Sequence, residues 1–171
     1  MHETAAEVAA LQDLLDRSHA AGGRHLREII TSQRRLSAEQ VIERLTGMRL
    51  LSLATSTADG RPIVGAVDGI FLHGAFHFGT SPNSLRWRHI QARPHVSATH
   101  LPGEELAITV HGCAVQVSAS PEDGAELRGV LREIYVPRYG EDWMNFIDSG
   151  PVYARIDAER MFTYWTEPYV S

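Results

Sequence analysis

The feature that most constrains this chain is a change of hydrophobic period just after Gly47. Before it, apolar residues recur every three or four positions; after it they alternate, with Leu51, Leu53 and Thr55 on one face of a strand. Asp59-Gly60 then gives a strong hairpin turn, because both residue types tolerate positive φ. A second strand reads through Ile63, Val64, Ala66 and Val67, with residues 69–72 continuing it after a bulge. His73-Gly74 turns the chain into a third strand at residues 75–80.

Helices interrupt this run at defined places. Ser37-Ala38-Glu39-Gln40 is a capping box, followed by an apolar face of Val41, Ile42 and Leu45, with Gly47 where a C-cap belongs. Ser81-Pro82 predicts a second helix, serine at the N-cap and proline at the first position, ending before Pro94. Residues 96–101 and 106–117 read as the fourth and fifth strands, joined at Pro102-Gly103. Ser120-Pro121-Glu122-Asp123 predicts another helix start, with Leu127, Val130, Leu131 and Ile134 as its buried face. Val152, Ala154 and Ile156 alternate in a last strand, resumed at residues 161–165. Antiparallel hairpins with inserted helices favour a closed or nearly closed barrel over a parallel sheet. The expected class is mainly β with α (α+β).

The first third differs. Val8, Leu11 and Leu15 recur at helical spacing until Gly22-Gly23 stops them, and Leu26, Ile29 and Ile30 form a second short stripe. Residues 1–36 read as a helical appendage, either a surface helix or an arm on a partner subunit, and residues 37–171 as the barrel domain. A formal charge of −5 in 171 residues gives no bulk footprint for nucleic acid or an anionic membrane. The single cysteine, Cys113, excludes an intramolecular disulfide and the four-cysteine zinc patterns, and mid-strand it reads as a small buried hydrophobe. The first residues lack a basic region followed by a long apolar run, and no stretch is apolar enough to span a bilayer. A soluble cytoplasmic protein is the expectation.

The segment richest in chemistry is residues 76–90, FHFGTSPNSLRWRHI. A strand ends in small polar residues and a helix begins, so unpaired amides and the helix dipole favour an anion there. Ser84 adds a hydroxyl, and Arg86 or Arg88 a guanidinium suited to a phosphate. Two residues apart, the arginines cannot share one helix face. The alternative is a capped surface helix with solvated arginines.

This segment resembles the cofactor loop of the pyridoxamine 5'-phosphate oxidase-like split barrels, which include flavin- and deazaflavin-dependent oxidoreductases. Thr80, Ser84 and Arg88 match that family's pattern, Ile90 is a conservative match, and Arg86 stands where lysine is usual. Asp59-Gly60-Arg61-Pro62 resembles the first turn of these barrels, and Pro94-His95-Val96-Ser97 the turn into the fourth strand. The similarity spans residues 37–166. It implies a six-stranded antiparallel split β-barrel, a homodimer with the cofactor ring at the subunit interface, and FMN or the deazaflavin coenzyme F-420 as cofactor. The phosphate would lie on Ser84 and Arg86, with Arg61, Pro62, Ile63 and Val64 near the ring and Thr80, Ser81, Trp87 and Arg88 completing the site. Ala66, Val67 and Asp68 replace the phosphate-binding residues of the second strand in vitamin B6 oxidases, so that activity is not expected. The resemblance therefore implies a hydride-transferring oxidoreductase acting on a small molecule; a non-enzymatic haem- or cofactor-binding barrel is the alternative.

In such enzymes the cofactor does the chemistry and the protein orients it. His100 and His111 are candidate proton donors, although a barrel-wall histidine with a satisfied hydrogen bond is the plainer reading. Trp87 and Trp165 are candidate stacking partners or core residues. Residues 135–139 either border a substrate cleft or form a helix exit. His73 and His77 are four apart outside a helix, and no metal site is expected.

Overall fold

A computed structural model describes residues 2–167; the last four residues of the expected barrel domain lie outside the described residues. The helices are α1 (Ala5–Ala20), α2 (Arg24–Ile29), α3 (Ala38–Arg44), α4 (Leu85–Ala92), α5 (Ala125–Tyr139) and α6 (Trp143–Asp148). The strands are β1 (Met48–Ser56), β2 (Pro62–Leu72), β3 (Ala75–Thr80), β4 (His95–His100), β5 (Leu106–Val117) and β6 (Val152–Trp165). They close in the order β1-β2-β3-β6-β5-β4, every neighbouring pair antiparallel, with β4 pairing back onto β1. The chain is thus a mixed α+β fold around a closed six-stranded barrel.

Alternation explains the two sides of the wall. Leu51, Leu53, Phe76, Phe78, Ile108 and Ile156 join one apolar cluster, to which α4 adds Trp87 and Ile90, and α3 with its C-cap adds Val41, Ile42 and Leu45. The alternate residues of β2 and β6, Ile70, Leu72 and Tyr153, form a second cluster with Leu127, Val130, Leu131 and Tyr135 of α5 and Ile147 of α6. The helix pair α5–α6 therefore rests against the outside of the barrel.

The local signals in the sequence form, some of them at shifted positions. The capping box at Ser37 and Gln40 forms as expected, and a second one, Thr4 with Glu7, opens α1. At the Asp59-Gly60 turn only Gly60 has positive φ, +83°; the Gly60 amide donates to Thr57 O, and the hairpin is a three-residue loop. The Ser-Pro pairs do not cap helices. Ser81-Pro82-Asn83 is a turn closed by Ser84 N to Ser81 O, and Ser84 is the N-cap of α4. Ser120 accepts from the Asp123 amide in another turn, and α5 starts at Ala125. The expected bulge in β2 is absent: its register with β1 and β3 is continuous. The bulge lies instead in β6, where the pairing steps from His111↔Arg160 to Gly112↔Ala158, making one continuous strand of the two pieces expected.

The N-terminal segment packs on its own barrel. Leu11, Leu14 and Leu15 enter the main core, the buried Ser18 Oγ accepts from Met161 N at 2.9 Å, and Gln12 accepts from the first amide of α3. His73, at φ +52° in its turn, sits between α1 and α5: Nε2 is 2.8 Å from Glu126 and Nδ1 3.0 Å from Glu7, the latter off the direction of a hydrogen bond. Partial burial opposes protonation, but the two carboxylates prevail and raise the His73 pKa above 6.5. A raised folded-state pKa contributes stability that is complete below the unfolded value and fades as pH rises through the folded one. The stability difference between the native chain and His73→Gln should therefore be largest in mild acid and vanish in mild alkali, measured by thermal unfolding across that range.

Candidate functional site

The end of β3 and the start of α4 make a small polar cradle. Ser84 Oγ accepts from Trp87 N at 3.0 Å and lies 3.1 Å from Thr80 Oγ1, so the capping bond fixes both hydroxyls. The Arg86 side chain folds back from the helix. Its Nη2 donates to Ala66 O at 3.1 Å, and its Nη1 is 3.5 Å from Thr80 Oγ1. It passes over Gly65, where an added Cβ would stand 2.7 Å from Nη2, so glycine there is what lets the guanidinium lie against β2. Burial lowers the Arg86 pKa, yet a guanidinium remains charged. No carboxylate pairs with Arg86 among the described residues. The caps and turn leave the amides of Leu85 and Arg86 without partners among the described residues, fewer than the helix start alone suggests. A hydroxyl pair, a partly buried guanidinium and free amides suit one phosphate.

Beside the cradle opens a cleft of about 570 Å³. Thr80, Ser81, Pro82 and Asn83 form one wall, the outer residues Asp68, Ile70 and His77 the floor, and α5, α6 and residues 149–151 the other wall. The Tyr135 and Trp143 rings stack at 4.2 Å, 17° from parallel; Tyr139 and Phe146 extend the aromatic surface to the rim. Tyr135 Oη donates to Asp68 Oδ2 at 2.8 Å, and burial together with that carboxylate pushes its pKa far above the usual phenol. Burial pushes Tyr153 up to about 12. His77 is pushed down to about 4 by burial, against the opposing bond from Nδ1 to Ala75 O. It is a neutral imidazole at physiological pH, with Nε2 left as an acceptor.

Of the residues singled out from sequence, Thr80, Ser84 and Arg86 meet in the cradle, and Thr80 and Ser81 line the cleft. Arg61, Pro62, Ile63 and Val64 are exposed at the β1–β2 hairpin, Arg61 paired with Asp59 at 2.9 Å. Arg88 is exposed and turned from the cradle by the helix repeat. Trp87 is 5% exposed in the barrel core, so its faces are closed to a cofactor ring. Trp165 lies instead beneath Arg44, 5.4 Å from its guanidinium carbon. Neither candidate proton donor reaches the cleft. His100 is buried with Nδ1 3.0 Å from Leu50 O, and His111 lies 2.8 Å from Ser97 Oγ on β4. Both are satisfied wall histidines. Trp143 and Phe146 have no place in the sequence expectation, and neither Asp68 nor His77 is given a cleft role there; the spacing of Tyr135, Tyr139, Trp143 and Phe146, an aromatic every three or four residues, is the available signal.

No family model matches the chain, and no curated protein matches its sequence. Solved structures do. A conserved hypothetical protein of Mycobacterium tuberculosis, Rv2991, superposes with a TM-score of 0.65 at 19% identity over 82% of this chain and 94% of that one. The haem storage protein HutZ of Vibrio cholerae gives 0.58 at 22%, over 76% and 95%. An F420 reductase gives 0.52 at 18%, over 70% and 94%. Among the described residues no helix is long and apolar enough to cross a membrane. The barrel order and these likenesses together show that the chain shares the fold of these structures and of a putative pyridoxamine 5'-phosphate oxidase of Listeria innocua, which gives 0.54 at 14% identity over 67% and 87%.

Proposed function

We propose that this chain is an oxidoreductase that holds a flavin-type cofactor, FMN or the deazaflavin coenzyme F-420, and reduces or oxidises a small molecule. The observation that carries this is the junction of the two halves of the site: Thr80 belongs both to the phosphate-sized cradle and to the wall of the aromatic cleft. Bound there, the cofactor supplies hydride transfer. Thr80, Ser84 and Arg86 anchor its phosphate. The stacked Tyr135 and Trp143 present a flat apolar face to a ring or a planar substrate, and α5–α6 limit water on that side. Asp68 fixes the Tyr135 hydroxyl, which burial keeps protonated, so it positions rather than donates.

Equilibrium titration of the purified protein with FMN and separately with F-420, followed by ring fluorescence, tests the reading. Micromolar or tighter binding of one is expected. Binding of neither overturns it. Tyr135→Phe removes the bond to Asp68 and should lower stability by about 1 kcal/mol, measured by denaturant unfolding, while loosening whatever binds in the cleft.

Subunit pairing forms part of the same proposal. On the outer wall, Ala66, Ser52, Thr99 and Thr109 lie in register across β2, β1, β4 and β5, and Val64, Ala54, Ser97 and His111 form the next row. These side chains are mostly small and none is buried: Ser52, Val64 and Ala66 are exposed and the other five partly exposed, with Val64 at 63% and the adjacent Leu50 at 59%. A face of small residues allows a second copy to approach closely, so a homodimer is expected in sedimentation. One observation favours haem as a second reading: neutral His77 offers a free Nε2 on the cleft floor, the form in which imidazole ligates a metal. Haemin added to the protein would then give a Soret band that His77→Ala shifts or abolishes.

A further inference from the structure

On the far wall of the barrel three side chains from three strands converge. His95 of β4 stands opposite Cys113 of β5 in the strand register, and Glu159 of β6 completes the group. Glu159 is the extra residue of the β6 bulge, flanked by the pairs Gly112↔Ala158 and His111↔Arg160. A bulge re-aims a side chain, and this one brings the carboxylate onto the face that carries Cys113. The neighbouring Gly112 makes the bulge possible: a Cβ there would stand 2.1 Å from Asp157 O, so β6 can approach β5 this closely only at glycine.

The donor atoms are spaced for a metal ion. Glu159 Oε1 is 3.7 Å from Cys113 Sγ and 3.8 Å from His95 Nε2, and all three donors lie within 4.8 Å of one another. Around a tetrahedral zinc, bond lengths of about 2.0 Å to nitrogen or oxygen and 2.3 Å to sulfur place donors about 3.3–3.5 Å apart. Small rotamer changes in three at least partly exposed side chains close that gap. Cys113, expected to be a buried hydrophobe, is partly exposed, and its thiol pKa is raised by desolvation and by the Glu159 and Asp157 charges. A bound cation reverses that local electrostatic balance. We propose that His95 Nε2, Cys113 Sγ and the Glu159 carboxylate bind a divalent transition metal of the zinc type, with a fourth position open to solvent. Thiolate and imidazole exclude calcium and magnesium as the natural occupants, since both prefer oxygen. The site does not depend on the cleft or on any cofactor. Cys113 and Glu159 also edge a groove of about 670 Å³ between α1 and the outer wall, which gives the ion an entry path.

Cobalt(II) titration of the reduced full chain, read as sulfur-to-cobalt charge-transfer absorbance, tests the proposal. One equivalent should bind and be displaced by zinc. Cys113→Ala should abolish the charge-transfer band. His95→Ala and Glu159→Gln should each weaken binding about tenfold or more, while His25→Ala, on distant α2, leaves it unchanged. His25, His95 and Glu159 are exposed and Cys113 partly so, and circular dichroism of each variant should match that of the native chain. Absence of the band, or a band that survives both His95→Ala and Glu159→Gln undiminished, overturns the three-residue site.

Discussion

Replacing Arg86 by alanine is expected to weaken binding of the phosphate-bearing cofactor by at least tenfold, about 1.4 kcal/mol. The reason is geometric as well as electrostatic. The guanidinium lies over Gly65, tethered by Ala66 O, and is the only cation built into the cradle among the described residues. Its entropy loss precedes binding, so the charge is preorganised for a phosphate rather than drawn in from solvent. Arg88→Ala serves as the control: an exposed arginine on another helix face should change affinity little. Arg86→Lys should recover part of the loss, since the charge survives but the planar fork does not. Equal affinities for Arg86→Ala and the native chain would place the phosphate elsewhere and remove the cradle from the proposed function.

The largest expected stability change is at Phe76. The side chain is fully buried, and its ring meets Phe71 edge-on, centroids 5.1 Å apart at 75°. Phe76→Ala removes the buried ring and leaves a cavity inside a closed barrel, whose hydrogen-bonded wall collapses poorly around a void. A loss of about 3–5 kcal/mol follows, a large share of the stability of a domain this size. In denaturant unfolding the midpoint should fall with little change in slope. A loss below about 1.5 kcal/mol would mean that the barrel interior repacks freely, contrary to the alternation that builds it.

The two histidines of the β2–β3 region pull stability in opposite directions with pH. His73 is held charged by Glu7 and Glu126, and its contribution fades toward alkali. His77 is held neutral by burial. As pH falls through 6.5 toward about 4, the unfolded chain takes a proton that folded His77 refuses, so its contribution is lost toward acid. His77→Gln should flatten the acid limb of the stability profile and leave the alkaline limb to His73.

Strand alternation, the Gly60 and His73-Gly74 turns and the Ser37 capping box are local, and each was legible because it depends on neighbours a few residues away. The cradle was legible for the same reason: Thr80, Ser84 and Arg86 lie within seven consecutive positions, and one helix start brings them together. What failed were inferences about direction. Ser81-Pro82 has the composition of a helix start, but the helix waits for Ser84, whose hydroxyl can reach both Thr80 and the Trp87 amide. Trp87 has the chemistry of a stacking platform, but the turn of α4 that presents Arg86 outward must point its neighbour into the core. Hydrophobic pattern cannot tell these apart, because a ring that stacks on a cofactor and a ring that fills a barrel have the same composition.

By itself, then, the sequence determined the strands, the antiparallel hairpins between them and the polar segment that ends β3. Only the tertiary structure decided which wall α5–α6 covers, and so that Tyr135 and Trp143, distant along the chain, share a cleft with Asp68, His77 and Thr80. It alone placed the bulge in β6, which sets Glu159 beside Cys113 and His95. The physical reason is range. Propensity and periodicity act over a few residues, whereas cleft and cluster depend on barrel closure and on register between strands far apart in the chain.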